Sequence, residues 1–314
     1  MSHRLDLKVG YRCNNHCRFC VQGDKRSRIP DKSTAQIMAV LETRRPDNDE
    51  VVFTGGEVTL RKDFFALVRC ARSLGYRSIC IQTNGRMFAY EEFCKKAIES
   101  GANSFGLALH GSTSEIHDGL TRAPGSFEQT VQGIRNLVKL GQRPSTNTVI
   151  TRYNYADLPA LARLLCSLRL RQFQFAFIHI NQLIKADPRL VSEIVPRKSV
   201  VEPYVKEGLQ TGIDHGIRVM VEAIPYCCMS GYEEYLSDKY IPEASVQEEI
   251  FIEDFNRHRR EKGKLKGPCC SACRYDAACE GPWREYPELF GWEEFKPVAK
   301  DERAGRKARV CVQQ

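Results

Sequence analysis

The first ~220 residues alternate short apolar runs with amphipathic stretches, and this order limits the fold more than any other feature of the chain. Leu5, Leu7 and Val9 alternate as a half-buried strand does. Val51-Val52-Phe53, residues 78–81, 103–110, 147–151, 173–180 and 217–221 supply six more strand-like runs. Helical patterns lie between them. Residues 33–43 place Ile37, Met38, Val40 and Leu41 on one face, and Phe64, Phe65, Leu67, Val68 and Ala71 mark a helix stopped at Gly75. Residues 90–100, a stretch opened at Ser126 and stopped at Gly141, residues 158–168 and residues 197–215 complete the set. Strict alternation predicts a parallel sheet with helical crossovers, as a barrel or an open doubly wound sheet. In both, function sits at the carboxyl ends of the strands. Three such ends carry informative residues: Cys13 to Cys20, Gly55-Gly56-Glu57 and Thr83-Asn84-Gly85.

The pattern breaks after Pro225. Residues 226–314 hold seven of the 14 cysteines, many charges and little periodicity. The expected division is an α/β unit at 1–222 and a small, irregular, Cys-rich unit at 223–314 that needs metal to hold its shape. The charged stretch Lys300 to Arg309 is expected to fray. A composition of 42% apolar and 27% charged residues excludes collagen, coiled coil and disorder. The start, Met1-Ser2-His3-Arg4, has no apolar signal region, and no apolar run approaches the ~18 residues of a membrane span. Fourteen cysteines without a secretion signal therefore point to a reducing cytoplasm and to metal ligation rather than disulfides.

Cys13-Asn14-Asn15-His16-Cys17-Arg18-Phe19-Cys20 has the spacing Cys-x3-Cys-x2-Cys. Three thiolates within eight residues can surround one soft metal centre and leave one coordination position open, which suits catalysis. Ligand type alone leaves zinc open. The motif, with an aromatic before its last cysteine and directly after the first strand of a βα chain, resembles that of the radical S-adenosylmethionine (SAM) superfamily over residues ~4–222. The resemblance implies a partial (β/α)6, TIM-like barrel with a [4Fe–4S] cluster on Cys13, Cys17 and Cys20. It further implies that SAM chelates the fourth iron and is reductively cleaved to a 5′-deoxyadenosyl radical, which takes a hydrogen from substrate. A reductant such as flavodoxin or ferredoxin would supply the electron.

The same resemblance assigns the methionyl amine of SAM to Gly55, Gly56 and Glu57, and part of the cofactor pocket to Thr83 and Asn84. Glycines admit close backbone approach and a carboxylate suits an ammonium. Many relatives end the fourth strand with a ribose-binding serine. This chain has Ala108-Leu109-His110, so His110 or Ser112 is the expected substitute. Arg152 resembles a carboxylate clamp, and Ile150 is expected near the adenine.

A second constellation, Cys270-Ser271-Ala272-Cys273 and Cys279, has the spacing Cys-x2-Cys-x5-Cys, and one cysteine of Cys227-Cys228 makes four. Four thiolates form a closed site for [4Fe–4S] or zinc. The segment resembles SPASM and Twitch auxiliary-cluster domains. With no further Cys-x3-Cys pattern after Cys279, that resemblance implies one auxiliary [4Fe–4S] cluster on Cys227, Cys270, Cys273 and Cys279. Cys228 and Cys269 remain alternatives to their neighbours. Cys70, Cys80, Cys94 and Cys166 read as core residues, and Cys311 as a remote extra ligand.

The expected function is that of a radical SAM enzyme, an oxidoreductase or lyase, acting on a small molecule of sugar, cyclitol or nucleotide type. The alternative is maturation of a ribosomally made peptide, although Cys13 leaves no room before it for a leader-binding domain. A metal-stapled nucleic-acid binder is disfavoured. The excess of 47 Lys and Arg over 39 Asp and Glu, +8, is scattered and forms no aromatic-interleaved stripe.

Overall fold

The computed structural model describes residues 3–299. Nine strands form one open sheet in the order β7-β6-β5-β4-β3-β2-β1-β8-β9. They are β1 (Arg4–Lys8), β2 (Glu50–Thr54), β3 (Ser78–Thr83), β4 (Ser104–Ala108), β5 (Ser145–Ile150), β6 (Gln172–Phe177), β7 (Arg218–Glu222), β8 (Ala244–Gln247) and β9 (Phe251–Ile252). From β1 to β7 each strand pairs in parallel with the next. This is the α/β architecture of a partial TIM-like barrel, and it meets the expectation drawn from the alternation.

The period-2 pattern explains which face is covered. Leu5, Leu7, Val51, Phe53, Ile79, Ile81, Phe105, Leu107, Phe173 and Phe175 are buried beneath the crossover helices. Each such side chain contributes roughly 1.5–3 kcal/mol on burial. The helices Thr34–Arg44, Phe64–Ser73, Glu91–Ser100, Ser126–Lys139, Leu158–Ser167 and Lys198–Asp214 supply the opposing apolar faces. The first begins with a capping box, in which Ser33 Oγ accepts from Gln36 N–H and the Gln36 side chain accepts from Ser33 N–H. The other sheet face carries Asp6, Val52, Cys80 and Ser104 in one register row and Ala108, Asn147 and Gln174 in another.

Several elements differ from the sequence expectation. The run 103–110 is a strand only over Ser104–Ala108. A helix at Ser114–Thr121, capped by Thr113 Oγ1, and two short helices at Gln182–Ala186 and Pro188–Ile194 carry no strong periodicity. The stretch expected to be a separate irregular unit sends β8 back to pair in parallel with β1, and β9 adds to β8 antiparallel. Residue 222 therefore ends the alternation without ending the sheet. Lys300 to Arg309 and Cys311 lie outside the described residues.

Candidate functional site

The chain leaves β1 at its carboxyl end and turns through Cys13, Cys17 and Cys20. Two glycines make room for this loop. Gly56 N–H donates to Gly10 O at 2.8 Å and Glu57 N–H to Arg12 O at 2.7 Å. A Cβ on Gly56 would stand 2.2 Å from Arg12 O, and Gly55 sits at φ +140°. The glycines thus let the β2 end close on the cysteine loop backbone. From above, Arg26 donates to Cys13 O at 2.6 Å and Asn15 O at 2.7 Å. Arg86 donates to Asn14 O at 2.7 Å and Asn15 Oδ1 at 3.0 Å. His16 N–H and Arg18 N–H donate to Thr121 O and Leu120 O at the end of the Ser114–Thr121 helix.

Cys13, Cys17 and Cys20 line one cavity of about 390 Å³ together with Gly55, Gly56, Asn84 and His110. Asn147, Glu222, His179 and Trp283 line it from the other end of the strand order and from the C-terminal segment. Asn15 N–H lies 3.4 Å and Asn84 Nδ2 3.9 Å from Cys13 Sγ. Burial pushes the Cys13 thiol up and the Cys17 thiol to about 12, so a bound metal is needed to hold them as thiolates. The described cysteines are all free. Among the described residues no three potential ligands are gathered around a single ion position. A four-iron cluster takes one thiolate per iron, and three soft donors on one cavity wall fit that group.

The sequence-expected neighbours divide into two groups. His110 is buried; its Nδ1 accepts from Val149 N–H at 3.2 Å, and its own N–H donates to His117 Nδ1 at 3.0 Å. Phe19 packs edge-on against the His110 ring, 4.7 Å between centroids. Burial pulls both imidazoles down, His117 to about 4, so both are neutral near pH 7. Glu57 does not line the cavity. Its carboxylate is buried and accepts from Thr59 N–H, Thr59 Oγ1, Thr83 Oγ1 and Asn84 N–H. Burial pushes this carboxyl up while those donors pull it down. Thr83 therefore also stands behind the wall, and Glu57 is a tie between strand ends.

Ser112, Ile150 and Arg152 do not line the cavity either. Ser112 gives its N–H and hydroxyl to Asp157, Ile150 is wholly enclosed in the core, and Arg152 is exposed with Nε reaching Val195 O at 3.4 Å. Arg26 and Arg86, which brace the loop, carried no motif that would single them out.

Cys227, Cys269, Cys270, Cys273 and Cys279 line a second, small cavity. Cys273 Sγ accepts from Val298 N–H at 3.4 Å and Cys279 Sγ from Gly281 N–H at 3.3 Å. Cys269 Sγ instead donates to Phe295 O at 3.2 Å. Cys228 is buried in the hydrophobic core.

An AdoMet-dependent heme synthase of Oleidesulfovibrio alaskensis is 31% identical over 144 residues, 45% of this chain and 37% of that relative. The chain thus spans little more than a third of that protein. A second AdoMet-dependent heme synthase, of Methanosarcina barkeri, is 23% identical over 86% of this chain and 87% of its own length. A probable GTP 3′,8-cyclase of Saccharolobus islandicus is 25% identical over 65% of this chain and 68% of its own. Streptococcus suis SuiB bound to S-adenosylmethionine shares the fold, with TM-score 0.64 and 13% identity over 95% of this chain and 76% of SuiB. No helix among the described residues is long and apolar enough to cross a membrane. The family model of the radical SAM superfamily matches residues 7–165, from β1 through the cysteine loop to the helix after β5. With that match over half of its length, the chain belongs to the radical SAM superfamily of enzymes, whose cofactors are a [4Fe–4S] cluster and SAM.

Proposed function

We propose that the protein carries out radical SAM chemistry on a compact small molecule, using an auxiliary cluster in a C-terminal SPASM/Twitch-like domain at 223–314. The observation that carries this reading is the single cavity shared by the three motif cysteines and the polar wall of Asn147, Glu222 and His179. About 390 Å³ lies within the range of small-molecule sites and suits the cofactor together with a compact reacting group. The named activities of the curated relatives, heme synthase and GTP cyclase, concern small molecules and support the same preference.

Cys13, Cys17 and Cys20 would hold the first cluster, and Gly55, Gly56, Asn84 and His110 would line the space for SAM. When bound, these cofactors supply the electron and the 5′-deoxyadenosyl radical that abstracts hydrogen. The chain's own groups orient and exclude water. Phe19, His110 and Phe177 make part of the wall apolar or neutral, which limits quenching by solvent protons and water. Cys227, Cys270, Cys273 and Cys279 are the proposed auxiliary ligands. Backbone N–H donors aimed at Cys273 and Cys279 sulfur favour thiolates, whereas a thiolate at Cys269 would face a carbonyl oxygen. The electron donor is of flavodoxin or ferredoxin type.

Anaerobically reconstituted protein, reduced with dithionite in the presence of SAM, is expected to release methionine and 5′-deoxyadenosine. An iron-loaded preparation that forms neither refutes the proposal.

A further inference from the structure

The polar wall of the cavity contains a carboxylate, Glu222, that makes no direct ion pair among the described residues. Glu222 ends β7 and lines the cavity. Its hydrogen bond within the protein comes from Gln174 Nε2, 2.6 Å from Oε2. The same Nε2 lies 3.4 Å from Asn147 Oδ1, so the two amide hydrogens of Gln174 are directed to its two neighbours. This row leaves Glu222 Oε1 and Asn147 Nδ2 for whatever enters the cavity. Lys264, Arg259 and Arg4 act on it through space, and each also has another partner, Asp6 for Arg4. Arg259 pairs with Asp238 and Glu280, and Lys264 Nζ sits 4.4 Å over the Trp283 ring. Burial pushes the Glu222 carboxyl up while Lys264, Arg259 and Arg4 pull it down, so an N–H-donating ligand at its open oxygen favours the charged form.

The wall around Glu222 is built and held. Ala223, which follows it and also lines the cavity, adopts φ +61°, a left-handed conformation that is strained for an alanine. Lys198 Nζ donates to Ala223 O at 2.7 Å from a wholly buried position against Phe177 and Tyr286. His179 stacks on Trp283 at 4.6 Å and 11°, closing the wall beside the carboxylate with a neutral ring. The strained residue and the buried lysine fix where the Glu222 backbone stands, and Gln174 fixes where its carboxylate points.

We propose that Glu222, aimed by Gln174, is the specificity-determining residue of this cavity and recognises substrate through an N–H-donating nitrogen group. A guanidinium or ammonium offers that chemistry, as does the amide and amine edge of a purine. Substrates that would turn a carboxylate or phosphate toward this wall are rejected by like charge. The inference deepens the small-molecule reading above and rests on it.

The test is anaerobic calorimetry on the reconstituted, SAM-loaded protein with agmatine, guanosine and propionate as probes. Agmatine or guanosine binds, propionate does not, and Glu222→Gln weakens the bound probe at least ~10-fold. Gln174→Met, which removes the aiming amide and leaves the carboxylate, weakens it about threefold. Binding of agmatine alone identifies a cationic group as the source, and binding of guanosine alone a purine edge. Failure of both probes, equal binding to Glu222→Gln, or a parallel loss of SAM affinity in that variant overturns the inference. Absence of 5′-deoxyadenosine from the unmodified enzyme is a separate result and fails the proposed reaction instead.

Discussion

The Thr83 hydroxyl donates to Glu57 Oε1 at 2.7 Å, joining the end of β3 to the segment after β2 inside the protein. Asn84 N–H reaches the other oxygen, Oε2, at 2.7 Å, and Asn84 Nδ2 then reaches Asn14 in the cysteine loop. A buried carboxylate thus relays position from two strand ends to the proposed cluster ligands. Glu57→Ala is expected to destabilise the fold by about 3 kcal/mol, because it strands buried donors. It should lower iron content and SAM affinity together. Glu57→Gln should do less of both. Thermal unfolding with iron analysis decides it: normal stability and iron with weakened SAM binding would return the carboxylate to the cofactor.

Gly56→Ala tests the close approach of the same two segments. The added methyl would meet Arg12 O at 2.2 Å and Tyr11 O at 2.4 Å, both backbone atoms. The expected cost is about 3 kcal/mol or more, with the cysteine loop displaced and iron lost. A variant with unchanged melting temperature and iron would contradict the described packing.

Iron counting separates the two proposed clusters. The reconstituted protein should carry about eight irons, and Cys17→Ala or Cys273→Ala about four each. Cys17→Ala should abolish SAM cleavage, whereas Cys273→Ala should retain slow cleavage. Four irons with one zinc in the unmodified protein would leave the first assignment intact and remove the auxiliary cluster.

The His110–His117 pair predicts an acid limit to stability. His117 titrates near 4 in the folded chain against 6.5 ordinarily, because burial disfavours its charge. The unfolded chain therefore binds the extra proton. The stabilising contribution is complete above 6.5 and is lost as pH falls from about 6.5 toward about 4, by about 3 kcal/mol. His117→Asn, whose Oδ1 can still accept from His110 N–H, should flatten the slope of unfolding midpoint against pH in that window. An unchanged slope would place the titrating group elsewhere.

Much of this architecture is readable in the chain because the alternation of periods is local. Leu5-Leu7 or Phe173-Phe175 shows a strand within a few residues, and Gly75 or Gly141 marks a stop. β8 and β9 were not readable, since four and two residues are too short to show a period and their pairing with β1 spans the chain. The site divides the same way. Cys13, Cys17 and Cys20 have a fixed spacing, and the structure places them on one wall. Arg26 and Arg86 look like solvated charges in sequence, because their carbonyl partners are made by the loop itself. Arg152 follows a strand end in sequence, and its contact with Val195 O is set only by folding. Glu57 stands in the segment its motif marks, but the four hydrogen bonds its carboxylate accepts from three residues are made only by folding.

The pairing of β1 with β8 has a consequence for biosynthesis. β1 leads directly into Cys13, and it is emitted from the ribosome more than two hundred residues before β8, its neighbour on the side away from β2. Through that interval one edge of the strand that anchors the proposed first cluster lacks its partner, open to any chain that can add a strand. Translation of the Cys-rich segment closes the edge. A stop codon after β7 would thus yield a barrel with a sticky rim, and the two halves of the polypeptide mature as one.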